Sequence, residues 1–341
     1  MTLVIAHRGA SGYRPEHSRS AYELAIELGA DAIEPDLVPT KDGVLVLRHE
    51  NEVSGTTDVA DHPEFRHLRT TKTVDGQSLT GWFTEDFTWA ELQTLRTRER
   101  LPALRPGSAE HDGEEPILRL EDLLAILDAA PRPVGLVAEV KHAAFFDRAG
   151  FPMGELVDRT LGDAGWRRDE RLTVESFEKG VLRDLRERHT GGRLVYLQEA
   201  RGSAADEVAS HGSLAPTYAA ERSEDALASF ATEFHGISVD LGTLMAGVDS
   251  VALEDPTPVR SAIVDRAHAV GLAVYTWTLR PENRFLPGPL RRGGDVAAFG
   301  DWERWYTSVI RTGLDGVFAD HTDLAVLARS AVGGPARLSR T

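Results

Sequence analysis

Short β-branched runs recur along the chain with amphipathic helical stretches between them, and no other feature of the sequence constrains the fold as strongly. The expected strands are Leu3–His7, Ala32–Leu37, Val134–Val140, Arg171–Ser176, Arg193–Gln198, Gly236–Asp240, Leu272–Trp277 and Asp315–Phe318, eight in all. Helical periodicity falls between them at Ser18–Leu28, which Gly29 ends, and at Leu120–Ala129, Lys179–Arg188 and Pro258–Val270. Eight such units close a (β/α)8 TIM barrel, whose active site belongs at the C-terminal ends of its strands. A chain of 341 residues accommodates one barrel with additions, so residues 1–333 are expected as a single domain.

Two stretches interrupt the alternation. An insertion after the second strand and its hairpin, about 51–116, is rich in Thr, Asp, Pro and charge, with one short helix expected at Trp89–Arg96. The other is the Pro/Gly/Arg-rich loop Arg280–Gly300. Both leave the catalytic end of the barrel and are placed to shape a pocket. The tail 334–341 reads as disordered.

Composition narrows the partners. A net charge of −16 disfavours a protein that grips a polyanion through clustered Lys and Arg, so nucleic acid is not expected. No apolar run approaches the roughly 20 residues that a membrane helix needs, so stable membrane insertion is not expected. With no cysteine there is neither disulfide nor thiol chemistry. Read as it stands, without a basic leader before Leu3, the chain is cytoplasmic, a removed leader being left open; a monomer and a homodimer are both compatible with it.

Ionisable residues gather at the ends of the early strands beyond what barrel stability requires. His7 and Arg8 close the first strand, and Glu34 and Asp36 stand two apart on the second, so the period of a strand turns both carboxylates to one face. Glu139 and Lys141 repeat that spacing at the end of the strand Val134–Val140. The Asp42-Gly43 turn then brings His49 back; if Pro39 faces Val44, His49 pairs with Glu34. Three carboxylates make an all-oxygen site suited to Ca2+ or Mg2+ rather than zinc. Arg8 and Lys141 add the charge to accept one anionic group such as a phosphodiester, and His7 and His49, with an ordinary pKa near ~6.5, suit acid and base work on it.

The stretches Val4–Ser18, Gly29–Gly43 and Leu47–Glu50, with E-V-K at 139–141, E-S-F at 175–177, Y-T-W-T at 275–278 and D-G-V-F-A-D at 315–320, resemble the glycerophosphodiester phosphodiesterase family in its bacterial form with a long insertion. The resemblance implies hydrolysis of a small glycerophosphodiester to glycerol 3-phosphate and an alcohol. It makes His7 and His49 catalytic, Arg8 a phosphate contact with Lys141 beside it, Glu34, Asp36 and Glu139 the metal ligands, and Trp277 an aromatic wall. It also implies a mechanism in which a glycerol hydroxyl attacks phosphorus and water opens the resulting cyclic phosphate.

Three positions depart from the family's pattern. His17 replaces Asn in P-E-N-T, Glu50 replaces Asp after the second histidine, and Glu175 replaces Gln. His17 reads as a surface-loop histidine, Glu175 as facing away from the site, and the length of Glu50 bears on how His49 is oriented. Two other functions share parts of this pattern. A lysophospholipase D or sphingomyelinase-D-like enzyme would need an apolar cleft, for which Phe285, Leu286 and Trp302 are the available residues; a non-catalytic phosphate-ester binding protein would need no turnover at all.

Overall fold

The computed structural model describes residues 1–248 and 259–333, so the tail at 334–341 and the expected helix start at Pro258 lie outside the described residues. Among the described residues there are twelve strands: β1 (Leu3–His7), β2 (Ala32–Glu34), β3 (Asp36–Pro39), β4 (Leu45–Leu47), β5 (Thr70–Val74), β6 (Gln77–Gly81), β7 (Gly135–Val140), β8 (Leu172–Ser176), β9 (Arg193–Gln198), β10 (Gly236–Asp240), β11 (Ala273–Leu279) and β12 (Gly316–Ala319). Parallel pairing runs from β1 through β12, β11, β10, β9, β8 and β7 and closes where β7 meets β2. This is the expected eight-stranded (β/α)8 barrel, with β2 and β3 together making one stave.

Pro35 splits that stave, because its nitrogen cannot donate to the ladder. The pairing nevertheless keeps step across the break, with Ala32 opposite Gly135 and Asp36 opposite Glu139. The carbonyl of Pro35 accepts from the Glu139 amide at 2.9 Å, so the break costs no acceptor.

Two faces of the barrel carry two cores. The outward residues, among them Val4, Ile33, Leu136, Val174, Tyr196 and Val317, pack beneath the helices in one large cluster. The inward residues Ile5, Ala32, Val137, Val195, Tyr275 and Phe318 form a separate plug that fills the barrel below its C-terminal mouth. Room for the Tyr275 ring depends on Gly316, where an added Cβ would stand 2.6 Å from Tyr275 Cδ1. The plug stops one layer below the mouth, which is where the polar residues begin.

The helix Arg19–Glu27 starts under a Ser18 cap that accepts from the Ala21 amide, and the chain leaves it through Gly29 at φ +93°. In the hairpin, Pro39 pairs with Leu45 rather than Val44, and Thr40 and Val44 close a three-residue loop with Gly43 at φ +75°. The expected register is therefore one residue out: Arg48 stands opposite Asp36, its amide donating to the Asp36 carbonyl at 3.1 Å, so His49 is not the partner of Glu34. In the insertion the expected helix is confined to Trp89–Leu92, opened by a Thr88–Glu91 capping box. The insertion also holds the β5–β6 hairpin, which was not anticipated although Asp75-Gly76 between two Thr-rich runs is a hairpin turn signal.

Gly316→Ala is expected to push a methyl into the Tyr275 ring and cost about 1–3 kcal/mol, the usual range for overpacking a tight core. A urea midpoint unchanged from the parent protein would show that the plug has slack it is not expected to have.

Candidate active site

Polar residues at or near the ends of β1, β2, β7, β8 and β11 line a single cavity of about 1040 Å3. His7, Arg8, Glu34, His49, Glu139, Lys141 and Trp277 all line it, as do Glu50, Glu175 and Phe177. The insertion supplies the far wall through Asn51 and the hairpin residues 73–77 and 79. From the loop after β11 only Arg280 contributes. Leu286 goes into the core and neither Phe285 nor Trp302 lines the cavity, so the apolar cleft expected of a lipid-directed enzyme is not built from these residues.

At the centre, one oxygen from each of Glu34, Asp36 and Glu139 lies within 4.8 Å of the others, and no other such trio occurs among the described residues. All three side chains are buried. The Arg8 backbone amide, in a residue at φ +60°, donates to Glu34 Oε2 at 2.8 Å. Lys141 Nζ donates to Glu139 Oε1 at 2.8 Å and sits 3.3 Å from Asp36 Oδ1. Arg8 Nε approaches Asp36 Oδ2 at 3.2 Å. Even so, Glu34 Oε1 and Asp36 Oδ1 are buried without a hydrogen-bond partner.

Charge follows from this crowding. Burial and the neighbouring Asp36 hold the Glu34 carboxyl well above the ordinary carboxylate range. Burial, with Asp36 against the opposing pull of Lys141, pushes Glu139 up to about 8. Asp36 goes the other way: although burial opposes it, Lys141 and Arg8 keep it well below the ordinary value. Converging carboxylates with unsatisfied oxygens and an all-oxygen donor set fit a hard divalent cation.

Two residues read otherwise from sequence belong here. His17 is fully buried rather than on a surface loop: its amide bonds the Arg8 carbonyl at 3.1 Å, and Nε2 lies 3.0 Å from Asp36 Oδ2 while Nδ1 meets the Tyr22 hydroxyl at 2.7 Å. Glu175 faces the cavity because it is in register with Glu139, and inward positions alternate along β8. Its Oε2 has no partner, and burial together with Glu139 raises its carboxyl well above the ordinary range.

The two cavity histidines are built alike. His7 Nδ1 lies 2.6 Å from Asp320 Oδ1, and His49 Nδ1 lies 2.6 Å from Glu50 Oε1, so in each ring Nε2 is the nitrogen left over. Burial, then the Arg8 charge, lowers His7 to about 4; burial, then Arg8 and Lys141, lowers His49 to about 3. Both rings are therefore neutral near pH 7. Trp277 stands edge-on to Phe177, ring centres 5.7 Å apart, and its Nε1 is buried without an acceptor.

A barrel whose mouth joins a carboxylate trio, two carboxylate-backed histidines and two cations belongs to the hydrolytic TIM barrels that work on anionic esters. Comparison with known proteins gives the family. Residues 7–324 match the glycerophosphoryl diester phosphodiesterase family, and the chain belongs to it. A glycerophosphodiester phosphodiesterase of Arabidopsis thaliana is 30% identical over 331 residues, 93% of this chain and 83% of the relative. One from Haemophilus influenzae is 28% identical over 200 residues, 54% of this chain and 52% of its own. Among solved structures, a glycerophosphoryl diester phosphodiesterase of Silicibacter pomeroyi superposes with a TM-score of 0.64 at 21% identity, covering 98% of this chain and 95% of that one. An Oleispira antarctica phosphodiesterase described in complex with sn-glycerol-3-phosphate gives 0.60 at 19% identity, with 97% of each chain covered. The chain is thus an enzyme of the phosphoric diester hydrolase type.

A carboxyl whose folded pKa is raised stabilises the fold at low pH and loses that contribution as pH rises from its ordinary value through the raised one. For Glu139 that window runs from 4.5 to about 8, and the shift of Glu34 has the same sign. A cation needs the ionised forms, so the rise in melting temperature on adding Ca2+ or Mg2+ is expected to be larger at pH 8 than at pH 5 and to be lost in Glu34→Gln. Equal shifts at both pH values, or an undiminished shift in the variant, would remove the trio as the ligand set.

Proposed function

We propose that the enzyme hydrolyses small glycerophosphodiesters, such as glycerophosphocholine or glycerophosphoethanolamine, to glycerol 3-phosphate and an alcohol, with one divalent cation, Ca2+ or Mg2+, bound by Glu34, Asp36 and Glu139. The observation that carries this reading is the placement of two neutral, carboxylate-backed histidines in one cavity with that trio, Arg8 and Lys141. Arg8 and Lys141 bind the phosphoryl oxygens, and Trp277 and Phe177 wall the cavity beside them. When bound, the cation supplies charge stabilisation at the phosphate and an anchor for glycerol hydroxyls.

His7 and His49 divide the proton transfers. In the first half, a glycerol hydroxyl forms a bond to phosphorus and gives its proton to Nε2 of one ring. The bond from phosphorus to the alcohol breaks, and the other ring supplies the proton that the departing oxygen takes up. Water then opens the cyclic phosphate with the two roles reversed. Each ring is kept in one tautomer by the carboxylate on Nδ1, so it is Nε2 that exchanges protons. Burial, and then the Arg8 charge that repels their charged forms, hold both rings low. A bound phosphodiester opposes the Arg8 charge and so moves the acid of the pair upward, toward holding its proton.

The test is release of glycerol 3-phosphate from glycerophosphocholine with Ca2+, with Mg2+ and with excess EDTA. His49→Ala is expected to lower kcat about 10^2- to 10^4-fold, the usual worth of a general acid or base, while leaving the melting temperature near the parent value. A near-normal rate in that variant removes His49 from the reaction, and full activity after chelation removes the cation.

A further inference from the structure

The insertion does more than wall the cavity. Two of its arginines, Arg100 and Arg105, come from one short segment and end on the two carboxylates that back the two histidines. Arg100 Nη1 and Nη2 donate to Glu50 Oε1 at 2.9 Å and Oε2 at 2.6 Å, a two-pronged grip on the residue that holds His49 Nδ1. The same guanidinium reaches Glu16 through Nε and Nη2, both at 2.7 Å, and Glu16 Oε2 accepts from Arg8 Nη1 at 3.2 Å. Arg105 Nη2 donates to Asp320 Oδ2 at 2.6 Å, on the far side of the carboxylate whose Oδ1 meets His7 Nδ1. Arg105 is fixed in turn by Glu282 Oε1 at 2.8 Å and by the Ser11 carbonyl at 3.1 Å.

The segment itself is held rigidly. Thr97 bridges Thr57 on one side and donates its amide to the Glu115 carbonyl at 2.8 Å on the other. Glu99 accepts from the Leu101 amide at 2.7 Å and from the Ser108 hydroxyl at 2.5 Å, tying the middle of the segment to the turn that follows Arg105. A planar guanidinium fixed at its base imposes its geometry on a carboxylate that it grips with two parallel bonds.

We propose that the segment 97–105 of the insertion is a positioning clamp for both histidines, Arg100 acting through Glu50 on His49 and Arg105 through Asp320 on His7. The clamp explains how this chain carries Glu at position 50. Glutamate has one more rotatable bond than the aspartate of the family pattern and would otherwise let the His49 ring wander. Among the described residues Glu50 pairs with Arg100 and His49 alone, so Arg100 is what removes that freedom. Asp320 is also held by Arg280 Nε at 2.6 Å, so His7 depends less on its insertion arginine than His49 does.

The proposal rests on the reading of His7 and His49 as the acid and base pair, and its test has one arm that needs no turnover. In protein labelled with nitrogen-15 in its histidine rings, the Nδ1 proton signals of His7 and His49 are assigned by their loss in His7→Ala and His49→Ala. Arg100→Met is expected to shift or broaden the His49 signal and leave His7 in place. Because Arg105 is buried, its variant is Arg105→Lys, which keeps the charge but loses the fork; it is expected to move His7 and spare His49. The second arm is kinetic. Arg100→Met should lower kcat about 10- to 100-fold, the usual worth of a residue that orients a catalytic ligand, with KM within about twofold and partial rescue in Arg100→Lys. In a Glu50→Gln background the same Arg100→Met change should add nothing further to the loss in kcat. Unmoved ring signals in Arg100→Met, or losses in kcat that multiply in the double variant, overturn the clamp. If the parent protein releases no glycerol 3-phosphate, the reading of the reaction falls, while the ring spectra still decide whether the arginines hold the histidines.

Discussion

Three carboxylates buried within a few ångströms of one another repel, and much of what surrounds the mouth of this barrel exists to hold Glu34, Asp36 and Glu139 together. Isolated, such charges in a low-dielectric site would cost several kcal/mol each. The chain offsets the repulsion unequally. Lys141, Arg8 and His17 all converge on Asp36, whereas Glu34 takes one backbone amide and Glu139 takes Lys141. The imbalance leaves one carboxylate firmly charged and the other two raised. The left-handed backbone at Arg8 and His17 belongs to the same requirement, since it turns an amide and a ring onto the trio.

The barrel was legible because hydrophobic period and helix punctuation are local, and each expected strand has its counterpart, with ends shifted by a residue or two. The trio was legible for the same reason: a two-residue spacing at a strand end decides which face a side chain takes. The register of the hairpin was not, because it turns on whether the loop holds the four residues 40–43 or the three residues 41–43, and the sequence of the turn suits both. His17 was misread because its burial depends on the chain doubling back so that its amide meets Arg8, a contact that no spacing announces. Glu175 was a matter of parity along β8 relative to Glu139, which only the pairing of the two strands fixes. Arg100 and Arg105 lie 84 and 215 positions from Glu16 and Asp320, and an ion pair at that separation leaves no trace in a single sequence.

The two histidines show how position and charge are separated in this site. A carboxylate on Nδ1 would ordinarily raise an imidazole's pKa, and both Asp320 and Glu50 do act in that sense. Each is itself spoken for, Asp320 by Arg105 and Arg280 and Glu50 by Arg100, so much of its negative charge is spent on a guanidinium. Burial and Arg8 then prevail, and the rings stay neutral until something anionic enters beside Arg8. Pairing each carboxylate with an arginine keeps the orientation of the ring while its own charge is answered by a guanidinium.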